Sequence, residues 1–240
     1  MYGWRAKIAF LLPSSCTVFE QEFLKVTSGL DGVIGIPARL LIEDTDADGL
    51  AGMNEGIDQA AKQLATTAPD VVLYMCTSGS FMDGQDGNQV IKDRIGEITG
   101  CSRVTTTSEA VVEGLRVQQV QRVAMLTPYD DEITRREVQF LEYHGFEVHS
   151  FDNLDIEDNL DRGSVTPEQT FSNALQLDYK KAQGLFLSCG NIRSIEVIDT
   201  LEARADRPVV SSSQASIWKA LRLAGVTEGI EGYGSLLRDH

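Results

Sequence analysis

Two cysteines stand at the ends of apolar runs and are followed by small, hydrogen-bonding residues: Cys76 in LYMCTSGSF (73–81) and Cys189 in GLFLSCGN (184–191). A thiol at a strand end that opens a helix faces unsatisfied backbone N–H groups and the positive end of the helix dipole, both of which favour the thiolate. Such a thiol serves as a base or nucleophile near neutral pH. The same N–H groups, with the hydroxyls of Thr77 and Ser78, can hold a carboxylate or an enediolate oxyanion. A carbon acid beside a carboxylate is very weak, so its deprotonation depends on such a hold. The plainer reading is that both cysteines belong to the core, because free cysteine is among the most buried residue types. Cys101 precedes a strand and reads as structural. Tyr129, after Pro128, reads equally as a turn aromatic, and the serines at 211–213 as a helix N-cap.

Other chemistries find no support in the chain. There is no GxGxxG or GxxxxGK[ST] motif, no lysine signalled for a Schiff base, and no His/Asp cluster at metal spacing. A mechanism without cofactor or metal is expected. The four cysteines, Cys16, Cys76, Cys101 and Cys189, form no CxxC pair, so neither a zinc cage nor a disulfide framework is indicated. Asp and Glu number 36 against 21 Lys and Arg, a net charge of −15, which argues against nucleic acid and anionic membrane surfaces as partners. The apolar segment at 8–12 ends at Pro13 and is too short for a signal-peptide core or a membrane span, so the protein is expected in the cytoplasm.

The elements that must position the thiols alternate along the whole chain. Apolar runs at 7–12, 71–75, 103–104, 122–126, 184–187 and 207–210 are separated by amphipathic stretches, such as 52–66 and 131–144, with apolar residues at helical spacing. Runs apolar on both faces between helices predict an α/β fold with parallel sheets covered on both sides. Three elements recur in order at nearly constant spacing: KIAFLLPSS (7–15) with RVAMLTPYD (122–130), the two cysteine strands, and SRVTTTSEAVVEGLRVQQV (102–120) with RPVVSSSQASIWKALRLAGV (207–226). We therefore expect two similar flavodoxin-like lobes related by a pseudo-twofold, residues 1–118 with 215–240 forming one and 119–214 the other. Ligands of parallel sheets bind beyond the carboxyl ends of the strands. The polar clusters at 13–16, 76–78, 105–108, 127–129, 188–191 and 211–213 would then converge on a cleft between the lobes, with Cys76 and Cys189 facing a ligand from opposite sides.

With these residues in view, the chain resembles the aspartate/glutamate racemase superfamily, in the branch of maleate cis-trans isomerases and arylmalonate decarboxylases. LLPSS, CTSGSF, TPY, DNLD, LSCGN and RPVVSSSQASIWKALRLAG fall in family order across essentially the whole length, and 187–225 is particularly close to the decarboxylases. The resemblance implies a cofactor-independent isomerase or racemase of a small carboxylate, such as a maleate-like dicarboxylate or an amino-acid derivative, with Cys76 and Cys189 as facing catalytic thiols. The decarboxylases have glycine where this chain has Cys76, so decarboxylation of a substituted malonate is the second reading, and a non-catalytic carboxylate-binding protein the third. The resemblance further implies substrate contacts from Pro13, Ser14, Ser15, Cys16, Thr77, Ser78, Tyr129, Gly190 and Asn191, and from Asn159, for which Asn153 is the competing match. Maleate isomerases usually carry asparagine where this chain has Cys16, and a thiol barely donates a hydrogen bond, so one carboxylate contact is expected to be lost. Members of the branch also occur as ectoine-utilisation proteins. A homodimer is the expected assembly.

Overall fold

The computed structural model describes residues 2–42, 47–81 and 87–240. In chain order the first half comprises β1 (Ala6–Pro13), α1 (Phe19–Thr27), β2 (Val33–Leu40), α2 (Ala47–Glu55), α3 (Ile57–Ala65), β3 (Val71–Tyr74), α4 (Thr77–Phe81), α5 (Gly87–Thr99), β4 (Val104–Thr106) and α6 (Thr107–Val117). The second comprises β5 (Arg122–Thr127), α7 (Asp131–Tyr143), β6 (Glu147–Asn153), α8 (Asn159–Gly163), α9 (Pro167–Gln176), β7 (Gly184–Leu187), α10 (Ile198–Ala205), β8 (Val209–Ser211), α11 (Ser212–Leu223) and α12 (Ser235–Asp239).

The strands form two four-stranded sheets with the same order, β2-β1-β3-β4 and β6-β5-β7-β8, and every neighbouring pair is parallel. The fold is thus α/β with the internal repeat that the sequence announces. The central strands are the apolar runs, and their burial explains why: β3 and β7 are buried at every residue, so both faces must be apolar. The outer strands β2 and β6 were not among those runs. Pro37 sits in β2 opposite Phe10 of β1, tolerated because an edge strand has a side with no ladder to complete. The amphipathic stretch at 52–66 is divided at Gly56 into α2 and α3.

The third repeated element forms the contact between halves. α11 packs on α6 and also touches α1, β3 and β4, with the Ser216 hydroxyl donating to Thr107 Oγ1 at 3.2 Å. Gly114 lies in this seam: a Cβ there would meet Ala215 Cβ of α11 at an ordinary 3.6 Å and Leu236 Cδ2 of α12 at a tighter 3.1 Å. Two of the polar clusters expected in the cleft are used otherwise. Thr106 caps α6 by accepting from the Glu109 N–H, and Ser211 caps α11 in a reciprocal pair with Gln214. Among the described residues no helix is long and apolar enough to cross a membrane.

Candidate active site

One pocket draws its lining from both halves. The first half contributes Pro13 at the end of β1, Cys16 beyond it, Ile42, Leu50 of α2, and the run Met75, Cys76, Thr77 and Ser78 at the β3–α4 junction. The second contributes Tyr129 beyond β5, Asn159 and Arg162 of α8, and Cys189, Gly190 and Asn191 beyond β7. The two expected thiols therefore meet in one cavity, and Cys16 brings a third. Among the described residues no three His, Cys, Asp or Glu side chains are grouped to hold a metal ion.

The thiols are held differently. Cys76 precedes the single short helix α4, and the Gly79 N–H donates to its sulfur at 3.3 Å, with Ser78 Oγ 3.8 Å away. Cys189 opens no helix, contrary to the expectation for both cysteines: the next, α10, begins only at Ile198. Instead Cys189 adopts φ 84°, a left-handed conformation that strains a residue with a Cβ. Its own N–H donates to Ser212 Oγ at 3.1 Å, and the Asn191 N–H donates to its sulfur at 3.3 Å. Gly190 follows because a Cβ there would fall onto Met75 Cε from the other half.

A ready thiolate, expected from the strand-end position, is not what the unliganded pocket supplies. Burial pushes the Cys76 thiol up to about 11 and that of Cys16 to about 12, and raises Cys189 as well. The N–H donors and the Arg162 charge act in the opposite direction on Cys76 and Cys189, yet desolvation outweighs them. Burial likewise keeps Tyr129 a neutral phenol, able to donate.

The polar groups divide into those already engaged and those open. Thr77 Oγ1 is buried and, among the described residues, without a hydrogen-bond partner, a costly state that a ligand oxygen would relieve. Asn159 lines the pocket and donates from Nδ2 to Ser15 Oγ at 2.7 Å. Asn153 instead donates to Asp131 Oδ1 outside the pocket, which resolves the competition between the two asparagines as to place. Ser14 and Ser15 do not line the cavity: Ser14 Oγ accepts from the Ile42 N–H, and Ser15 braces Asn159. The Asn191 amide is fully engaged in the scaffold. Its Oδ1 accepts from the Thr17 and Val18 N–H groups at 2.8 and 3.1 Å, and its Nδ2 donates to Asn159 O at 2.6 Å. Met75, Ile42, Leu50 and Arg162 were missed in the sequence. Arg162 alone left a signal there, lying three positions beyond Asn159 in the DNLDRG segment.

Behind Cys189 lies a buried acid. Glu137 of α7 accepts from the Ser188 hydroxyl at 2.7 Å through Oε1, while Oε2 has no partner among the described residues. Burial pushes its carboxyl up to about 8 from an ordinary 4.5. Because the folded chain holds this proton more tightly than the unfolded chain, stability is unpenalised below about pH 4.5 and declines as pH rises through about 8. Glu137→Gln removes the titration, so its melting temperature should gain on the wild type between pH 5 and pH 9 by several degrees, on the order of 1–3 kcal/mol. An unchanged gap between the two proteins across that range would show that the carboxyl ionises freely.

This architecture is shared with isomerases of known structure. A cysteine-to-serine variant of the Nocardia farcinica maleate cis-trans isomerase, solved with a covalently bound succinylcysteine intermediate, superposes with a TM-score of 0.93 at 28% identity over 98% of this chain and 99% of that one. In sequence, a maleate isomerase of N. farcinica is 30% identical over 97% of this chain and 95% of its own length. An arylmalonate decarboxylase of Bordetella bronchiseptica is 33% identical over 79% of this chain and 80% of its own. The arylmalonate decarboxylase family profile matches residues 34–237, and the chain belongs to that family.

Proposed function

We propose that the chain is a cofactor-independent cis-trans isomerase of a small unsaturated carboxylate of the maleate class, with Cys76 as nucleophile and Cys189 as proton donor and acceptor. The observation that carries this reading is the meeting of two thiols from corresponding strand ends in one pocket beside the unpartnered Thr77 hydroxyl. The Cys76 sulfur, deprotonated, adds to one olefinic carbon, and the electron pair moves to the neighbouring carbon and its carboxylate. Thr77, Ser78 and the Gly190 N–H stabilise the resulting enediolate, while Tyr129 and Asn159 hold the remaining carboxylate. The Cys189 thiol delivers its proton to the carbanionic carbon. The former double bond is now single and rotates; Cys189 removes the proton again, the double bond re-forms, and the Cys76 thiolate leaves. The succinylcysteine intermediate of the Nocardia enzyme supports the covalent addition of a cysteine sulfur to the substrate.

Proton NMR of maleate incubated with the protein should show fumarate appearing without any added cofactor; no conversion of maleate would overturn the reading. Decarboxylation of a substituted malonate is the second reading, favoured by the family itself and by the apolar wall of Pro13, Ile42, Leu50 and Met75. Release of carbon dioxide from an arylmalonate distinguishes it. The division into lobes at 1–118 with 215–240 and 119–214 is supported by the packing of α11 on α6. A homodimer and a cytoplasmic location complete the proposal, and sedimentation of the purified protein tests the first of these.

A further inference from the structure

Arg162 is an anomaly for a buried residue. It is only 4% exposed, yet no carboxylate pairs with it among the described residues. Its Nε donates to Ile156 O at 2.8 Å and its Nη2 to Glu157 O at 3.2 Å. Its Cζ lies 5.1 Å over the Tyr129 ring, a cation–π contact. Nη1 makes no hydrogen bond among the described residues, and the side chain lines the pocket. Two carbonyls and a ring only partly offset the desolvation of a full positive charge, which normally stays buried only with a counter-ion. The remaining edge of a guanidinium matches a carboxylate in a two-pronged contact.

We propose that Arg162 is the carboxylate anchor of this pocket, so that the substrate is a diacid held by Arg162 from the second half while its reacting carboxylate lies on Thr77 and Ser78 of the first. The inference rests on the reading that the pocket takes a small carboxylate. It also supplies the contact that Cys16 withholds, since the Cys16 sulfur lies 3.8 Å from Gly190 O and offers the substrate little. The same charge favours the ionised forms of Cys189 and Cys76, so one side chain both seats the ligand and eases thiol ionisation.

Succinate and its monomethyl ester test the anchor by calorimetry, because neither has a double bond and binding is read apart from turnover. The wild type should bind succinate about 10- to 100-fold more tightly than the half-ester. In Arg162→Gln that preference should fall to within about threefold, whereas Arg162→Lys, which keeps the charge but loses the fork, should retain part of it. Alkylation of Cys76 and Cys189 by iodoacetamide should shift to higher pH in Arg162→Gln, a change that a merely structural arginine would not produce. Equal binding of diacid and half-ester by the wild type overturns the anchor even if the glutamine variant fails to fold, as does a preference unchanged in a folded variant. Absence of maleate turnover with the diacid preference intact refutes the isomerase reading and leaves Arg162 in place.

Discussion

Alanine at Cys76 or at Cys189 is expected to lower maleate turnover by about 10³-fold or more in each case, because each thiol performs a step the other cannot replace. In the proposed mechanism Cys76 forms the bond to carbon that permits rotation, and Cys189 moves the proton that makes and unmakes the adduct. Since both belong to one sequence of events, the double variant should be no slower than the worse single variant. Both sites are almost fully buried, and loss of one sulfur should cost about 1–2 kcal/mol of stability, leaving a folded protein by circular dichroism. The outcome that sinks the assignment is turnover within tenfold of wild type in either single variant. Incubation with maleate should also add one maleate mass to Cys76 in Cys189→Ser, whose hydroxyl is a poor base for taking the proton back off the succinyl carbon once solvent has supplied it, and should add none in Cys76→Ala.

Asn191→Ala should damage the fold rather than substrate affinity. The resemblance places Asn191 among the substrate contacts, but its amide ties the loop beyond β1 to the first residue of α8. Truncation would strand the buried Val18 N–H and Asn159 carbonyl and the partly buried Thr17 N–H, a cost of about 2–5 kcal/mol. For a chain of this length that lowers the melting temperature by roughly 5–15 °C. Thermal unfolding followed at a probe-independent wavelength, together with the Michaelis constant of the surviving enzyme, checks both halves of the expectation. A raised Michaelis constant with an unchanged melting temperature would return Asn191 to the substrate.

The central strands were legible because burial on both faces writes an uninterrupted apolar run, and the repeat was legible because both halves write it at the same spacing. The edge strands β2 and β6 were not: Gly35 and Pro37 interrupt β2, and β6 carries His149, Ser150 and Asp152, since a strand half open to solvent needs no continuous apolar pattern. The thiol pair was readable as a correspondence between Cys76 and Cys189. The chemistry around it was less so. Asn191 reaches Thr17 across a separation of 174 residues, and no local pattern reports such a contact. Arg162 stands among many surface charges in the sequence, and only the turn through α8 withdraws it from water. The positive φ of Cys189 likewise leaves no trace in composition, because glycine, the usual occupant of that conformation, is absent there.

The contact of Met75 with Gly190 binds the evolutionary fates of the two halves. The methionine tip fills the space that a larger residue at 190 would claim, so a side chain at 190 requires the flexible end of Met75, on the other copy of the repeat, to move aside. A combinatorial library that randomises 190 alone should return mostly glycine, whereas one that also admits alanine at 75 should recover alanine at 190. The seam between the two halves is thus set in part by one side chain from each, and changes to the pocket at 190 should be made together with changes at 75.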